Sequence, residues 1–132
     1  MTEARNRVLV DTSVWVDFLR SGRGKSSAVV EDLIRSSQAV ACGVVLAELL
    51  AGVRNREDRE QLQEALAGLD YLEMQEQTWR LAGELAAELR SKGRTVPMSD
   101  LVVAALAIEH GFSVLTLDSH FRRIPGVRLY AV

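Results

Sequence analysis

The sequence has 132 residues, with 16 lysines and arginines against 18 aspartates and glutamates, so its formal charge at pH 7 is −2. A composition of 48% hydrophobic and 26% charged residues is ordinary for a globular protein and excludes disordered, collagen-like and coiled-coil chains. This length predicts one domain over residues 1–132. The near-neutral charge excludes strong nucleic-acid binding by bulk charge, but not binding through local basic patches.

Cysteine and histidine usage and the N-terminal sequence narrow the class of protein. Cys42 is the single cysteine, which excludes an internal disulfide framework, and with only two histidines we expect no structural zinc site. No apolar run reaches the ~20 residues of a membrane span, and the N-terminus lacks the layout of a signal peptide. We therefore expect a cytoplasmic protein.

The first half of the chain alternates short apolar runs with helical patterns. β-branched residues in a continuous run predict a buried strand, and apolar residues at helical spacing predict helices. The elements predicted up to residue 66 are a strand over 7–10, a helix capped by Thr12 or Ser13, a helix over 26–36, a strand over 39–42, a buried helix over 44–53 and a charged helix over 57–66.

The second half continues the alternation, and glycines follow its helices. The elements predicted there are a strand over 69–74 near a sheet edge, an amphipathic helix over 76–92, an apolar helix over 99–110, a strand over 113–117, a short helix around His120 and a strand over 127–130. Strands alternating with helices predict an α/β/α sandwich with a central parallel sheet. In such sheets ligands bind beyond the carboxyl ends of the strands.

Four acidic residues stand alone in otherwise apolar stretches: Asp11, Glu48, Asp100 and Asp118. Asp11 and Asp118 are each expected to follow a strand directly. Asp100 falls in the first turn of its helix, and Glu48 lies on the helix after the second strand. Because the strands are parallel, we expect all four at one edge of the sheet.

Each of these acids also has a structural interpretation. Asp11 could cap a helix, Asp118 could form an Asx turn, and Asp100 could be a helix N-terminal acid. Glu48 could pair with a basic residue such as Arg54. A lone carboxylate that becomes buried costs several kcal/mol unless it is paired or coordinated. Four of them at one edge suit a hard divalent cation, Mg²⁺ or Mn²⁺.

Four segments give the chain a resemblance to a known family. These are VDTSVW at 10–15, ELLAGVR at 48–54, SDL at 99–101 and LTLDSHF at 115–121. In this order they resemble the motifs of PIN-domain ribonucleases, and more narrowly those of the VapC-type toxins of toxin–antitoxin pairs. The resemblance extends from about Val8 to the C-terminus.

The resemblance implies a PIN-like fold and a metal-dependent endoribonuclease that hydrolyses RNA with a metal-activated water. Its catalytic and metal-binding acids would be Asp11, Glu48, Asp100 and Asp118, supported by Thr12, Ser13 and Thr116. The cofactor would be Mg²⁺ or Mn²⁺. The implied partners are an RNA substrate, a VapB-like antitoxin protein and a second copy of the chain in a homodimer.

Several other residues receive an interpretation from the sequence alone. Trp15, Trp79 and Cys42 are expected to pack, and Asp17 to lie on the surface. His120 is two residues from Asp118 and could contact a metal or a phosphate, but we expect a solvated helix residue because Mg²⁺ does not favour imidazole. Arg54, Arg56 and Arg59 alternate with acidic residues, which is typical of a solvated helix face. Residues that follow the acidic motifs are candidates for RNA phosphate contacts. They are Arg20, Arg23, Lys25, Arg122 and Arg123.

Two alternative functions remain open at this point. A phospho-accepting signalling domain of the receiver type shares the size, the layers and an acidic Mg²⁺ pocket. It would require adjacent acids after the first strand, whereas Asp11 is followed by Thr12. A catalytically silent interaction module of the PIN fold is the second alternative, and the four retained acids argue against it.

Overall fold

The computed structural model describes residues 6–21 and 26–131, except for the side chain of Ser21. Within these ranges, no helix combines the length and apolarity needed to cross a membrane. The elements in chain order are β1 (Val8–Val10), α1 (Thr12–Ser21), α2 (Ser27–Arg35), β2 (Ala39–Cys42), α3 (Gly43–Gly52), α4 (Arg56–Ala67), β3 (Asp70–Leu72), α5 (Glu76–Ser91), α6 (Met98–His110), β4 (Ser113–Leu115), a 3₁₀-helix (Ser119–Arg123) and β5 (Arg128–Leu129).

The five strands form one parallel sheet in the order β3-β2-β1-β4-β5. The residues of β1 and β2 are buried, whereas both residues of β5 are exposed at the sheet edge. Helix α1 contacts α2, α3 and α4, and α5 packs on α6. Right-handed crossovers, the rule for parallel strands, would put these two groups on opposite faces of the sheet. The predicted α/β/α sandwich is confirmed, as is the edge position of the strand after residue 69.

The central strand β1 determines where a ligand can bind. Along the chain, the sheet grows from β1 toward β2 and β3, then returns to add β4 on the other side of β1. This reversal opens a crevice at the carboxyl ends of β1 and β4, the usual binding position in open parallel sheets. The Asp11 backbone N–H donates to the Leu115 carbonyl at 2.9 Å, so the two strand ends are tied together.

Helix α6 supplies much of the core and ends in a left-handed turn. Its residues 101–107 are all buried, which explains their unbroken apolar sequence. Gly111 follows the helix with φ of 71°. The Phe112 N–H donates to the Ala107 carbonyl and the Gly111 N–H to the Ile108 carbonyl, which is the Schellman pattern. This turn directs the chain into β4.

The chain forms a helix where one was predicted over 44–53, but the prediction that this helix is buried was wrong. Val45 and Leu49 of α3 are buried, whereas Ala47, Glu48 and Ala51 are exposed. A helix that covers one face of a sheet buries only one stripe of its surface. Small apolar residues occupy the solvent side of α3, and this hides the helical period in the sequence.

Three smaller expectations were also wrong. Trp79 is 53% exposed, because the buried stripe of α5 runs through Thr78 and Ala82 instead. Asp17 is half-buried and accepts a hydrogen bond from the Ser26 hydroxyl at 2.6 Å. The expected cap by Thr12 or Ser13 was wrong, because α1 already begins at Thr12 and Asp11 is the residue before it. The packing predicted for Trp15 and Cys42 is confirmed, since both are fully buried.

Substitution of Gly111 by alanine should lower the free energy of unfolding by about 1–2 kcal/mol, because a side chain strains the left-handed conformation. Chemical denaturation of both proteins measures the difference. Gly83→Ala is the matched control, since Gly83 lies within α5 and no atom would lie within 4 Å of an added Cβ. That control should gain about 0.5–1 kcal/mol from helix propensity. Equal effects at both positions would contradict the prediction.

Candidate active site

Asp11 is the buried acid of the site, with 4% of its surface exposed. Its Oδ2 accepts hydrogen bonds from the Ser13 and Thr116 hydroxyls, both at 2.8 Å. Its carbonyl oxygen accepts from the Val14 N–H at 3.1 Å, so Asp11 also starts α1. Asp11 therefore begins the helix as its structural interpretation expected, and the hydroxyls fix one carboxylate oxygen in place.

The two hydroxyls also determine the path of the chain after β4. The Ser13 Oγ accepts from the Leu117 N–H at 3.0 Å, and the Thr116 Oγ1 accepts from the Asp118 N–H at 2.9 Å. Each hydroxyl uses its one donor on Asp11 and accepts a hydrogen bond from the backbone. Ser13 and Thr116 therefore couple the end of β1 to the loop that carries Asp118.

Asp118 lies three residues beyond the end of β4, so the expectation that it follows the strand directly was wrong. Beyond the strand, the backbone N–H groups of Leu117 and Asp118 donate to the hydroxyls of Ser13 and Thr116. The Asp118 Oδ1 accepts from the His120 backbone N–H at 2.9 Å and so caps the 3₁₀-helix. The expected Asx-type role is thus present beside the role in the acidic cluster.

His120 is not a solvated helix residue as expected from the sequence. The 3₁₀-helix turns its ring inward, where Nδ1 lies 2.9 Å from Asp118 Oδ1 and 3.5 Å from Asp100 Oδ2. Asp100, Asp118 and His120 each offer one ligand atom, and these atoms all lie within 4.8 Å of one another. This is the tightest potential ligand group among the described residues, and Asp11 and Glu48 are not part of it.

Asp100 has the most perturbed environment of the four acids. It lies in the first turn of α6, and its pKa is raised to about 6, mainly by burial and then by the charges of Asp11 and Asp118. Glu48 raises the pKa further, whereas His120 lowers it. Among the residues that the structure describes, no lysine or arginine forms an ion pair with any of the four acids. The acids could therefore hold a cation.

Glu48 is exposed on α3, at the rim of this cluster. Its Oε1 accepts a hydrogen bond from the Thr12 hydroxyl at 2.8 Å, which orients the carboxylate. Within the described ranges it makes no ion pair with Arg54, the basic partner considered from the sequence. Its electrostatic influence on Asp100 shows that it belongs to the same acidic region.

Two grooves adjoin the acids. One, of about 410 Å³, is lined by Glu48 together with Arg20, Arg54, Asn55 and Asp58. The other, of about 560 Å³, is lined by Thr116, Leu117, Asp118, Arg122 and Tyr130. The structure thus places arginines on both sides of the acidic cluster.

The basic residues proposed from the sequence have different outcomes. Arg20 and Arg122 line the grooves, and Arg123 is exposed on the 3₁₀-helix. Arg23 and Lys25 lie outside the described residues. Arg54 was missed, because its sequence neighbours alternate in charge. Its position as the last residue of the motif at 48–54 was the one signal that could have identified it.

Comparison with known proteins shows the family of the chain. Residues 8–127 match the PIN domain family. The chain is 32% identical over 122 residues to "Ribonuclease VapC19" of Mycobacterium tuberculosis, which covers 91% of this chain and 96% of the relative. It is 29% identical to "VapC ribonuclease Mb1587" of Mycobacterium bovis, over 86% of this chain and 88% of that protein. The solved VapBC2 complex of Rickettsia felis, bound to a DNA fragment from its promoter, contains a similar chain with a TM-score of 0.82 and 25% identity, over 93% of this chain and 96% of that one.

The raised pKa of Asp100 predicts a pH-dependent stability in chelator. The folded protein holds the Asp100 proton up to about pH 6, whereas the ordinary pKa is 3.8, so this group makes stability fall as the pH rises between these values. Asp100→Asn should flatten that fall and be more stable than the wild type above pH 6. Urea unfolding across this range measures it, with Glu84→Gln on α5 as the control. A variant with the wild-type pH profile would contradict the prediction.

Proposed function

Because the chain belongs to the PIN-domain family, and within it to the VapC ribonucleases, we propose that it is a metal-dependent endoribonuclease and the toxin of a toxin–antitoxin pair. The observation that carries this proposal is the convergence of carboxylates at the carboxyl ends of β1 and β4. Asp11, Asp118 and Glu48 all raise the pKa of Asp100, and none of the four acids has a lysine or arginine partner within the described residues. Such a site suits hydrolysis of a phosphodiester bond.

The donor set fits a hard divalent cation. Carboxylate oxygens are the ligands that Mg²⁺ and Mn²⁺ prefer, and a cation would relieve the repulsion that raises the pKa of Asp100. We assign Asp11, Asp100 and Asp118 as the ligands, with Glu48 at the rim. When bound, the ion would supply an activated water and stabilise charge on the phosphate.

The polar residues around the acids hold the carboxylates in position. Ser13 and Thr116 hold one oxygen of Asp11 and leave the second oxygen available. Thr12 holds Glu48 toward the cluster. These side chains fix the carboxylates before a substrate arrives, and such preorganisation is a main source of catalytic power.

RNA is the proposed substrate, and the grooves on either side of the acids are its proposed path. The net charge of −2 gives no general attraction, so local arginines must contact the phosphates. Arg20 and Arg54 would do so in one groove and Arg122 in the other. Arg23, Lys25 and Arg123 remain predicted contributors.

The proposed partners are a VapB-like antitoxin protein and a second copy of the chain. Support for the antitoxin comes from similar solved chains that are named as VapBC complexes. We further propose that residues 1–132 form one domain, that the protein acts in the cytoplasm, and that Mg²⁺ or Mn²⁺ is its cofactor.

The two alternative functions have less support. In a receiver-type domain the acids would be adjacent after β1, whereas Asp11 is followed by a threonine that bonds to Glu48. Family membership also favours the nuclease. A silent PIN-fold module has no need for four carboxylates without basic partners, and the cleavage assay below distinguishes it.

Asp11→Asn should reduce RNA cleavage by about 100-fold or more, because several kcal/mol of charge stabilisation depend on the bound ion. The amide oxygen can still accept from Ser13 and Thr116, so circular dichroism should show an intact fold. Chelator should abolish wild-type cleavage, and Mg²⁺ or Mn²⁺ should restore it. Full cleavage in excess chelator would refute the metal mechanism.

Removal of two groove arginines should weaken RNA binding and flatten its salt dependence. In the Asp11→Asn background, Arg20→Ala with Arg122→Ala should lower the slope of log K against log salt by roughly one unit per arginine. Anisotropy of a labelled single-stranded RNA measures this slope. Arg35→Ala is the control, since Arg35 pairs with Asp32 and ends α2 at the opposite edge of the sheet. An unchanged slope in the double variant would exclude these contacts.

A further inference from the structure

The imidazole ring of His120 lies against the carboxylates of the acidic cluster. Its Nδ1 atom is buried and makes no hydrogen bond, although it lies 2.9 Å from Asp118 Oδ1 and 3.5 Å from Asp100 Oδ2. The described residues offer few such orphaned buried nitrogens. A buried polar atom without a hydrogen bond costs free energy, so its position between two carboxylates needs an explanation.

The backbone around His120 fixes the direction of the ring. The His120 N–H donates to Asp118 Oδ1 at 2.9 Å, and the next residue, Phe121, is fully buried in the core. These two anchors are independent of the imidazole, so the ring is placed at the carboxylates by the 3₁₀-helix itself. The ring remains 38% exposed, which leaves its other edge toward solvent.

The geometry allows one ion to contact all three side chains. The ligand atoms of Asp100, Asp118 and His120 lie within 4.8 Å of one another, so a cation between the two carboxylates would also be within reach of Nδ1. An imidazole coordinates as the neutral ring, and here the proton would reside on Nε2 at the exposed edge. The orphaned Nδ1 would thereby gain its partner.

A nitrogen ligand changes which ions the site prefers. Mg²⁺ favours oxygen ligands, whereas imidazole suits transition metals, and affinity rises from Mn²⁺ to Co²⁺ along the first row. We propose that His120 is a metal ligand through Nδ1, together with Asp100 and Asp118, and that it makes the site favour Co²⁺ and Mn²⁺ over Mg²⁺. This inference rests on the metal site of the proposed function.

Isothermal titration calorimetry of the full chain with Mg²⁺, Mn²⁺ and Co²⁺ tests it. Replacement of the imidazole, as His120→Ala and as the polar variant His120→Asn, should lower Co²⁺ affinity by about tenfold or more, Mn²⁺ affinity less, and Mg²⁺ affinity by less than about twofold. The visible absorption of bound Co²⁺ should change in both variants. His110→Ala is the control. His110 is the only other histidine, and it ends α6 and packs on Phe112 at the amino end of β4, away from the acids.

Three results would overturn the proposal. An equal loss for all three ions would make His120 a positioning residue that acts through Asp118. A gain in affinity for all three would make it a counter-charge that competes with the ion. Unchanged affinities would exclude any role in metal binding.

The proposed function fails in a different way. If the wild type binds none of the three ions and Asp11→Asn still cleaves RNA, the metal site itself is refuted. If the wild type binds them and Asp100→Asn does not, while His120→Ala keeps the wild-type order of affinities, only the role of His120 is refuted.

Discussion

Repulsion between carboxylates at the carboxyl ends of β1 and β4 is the constraint on which this site depends. Burial and the charges of Asp11 and Asp118 both raise the pKa of Asp100, so the metal-free arrangement costs free energy. The core offsets that cost. The buried residues of β1 and of α6 lie next to the acids in sequence, so hydrophobic burial holds the carboxylates together.

Hydrogen bonds then convert this enforced proximity into a defined geometry. Ser13 and Thr116 join Asp11 to the loop that carries Asp118, and each hydroxyl both donates and accepts. The network crosses the crevice between β1 and β4, where the order of the sheet reverses. The topology of the fold and the chemistry of the site therefore meet at the same few atoms.

Structural and chemical roles coincide in several of these residues. Asp11 starts α1, and Asp118 caps the 3₁₀-helix that carries His120. Such local hydrogen bonds fix the backbone of each acid while one carboxylate oxygen remains free for a ligand. The structural interpretations considered from the sequence were correct for these two acids, and they are compatible with the proposed metal site.

The sequence by itself determined the class of fold and the identity of the four acids. Strand and helix periods are local properties, and a lone carboxylate in an apolar run is visible without any knowledge of packing. The motifs at 10–15 and 115–121 also identified Ser13 and Thr116 as residues that support the acids. Because the strands were expected to be parallel, the sequence also predicted that the four acids lie at the same end of the sheet.

Only the tertiary structure decided which side chains face that edge. The inward turn of His120, the place of Arg54 in a groove and the exposure of Trp79 each depend on how an element is rotated about its axis. That rotation is set by contacts between residues distant in the chain, such as Phe121 in the core. A local pattern contains no information about those contacts, and for this reason the sequence identified the acids but could not decide whether His120 faces them or the solvent.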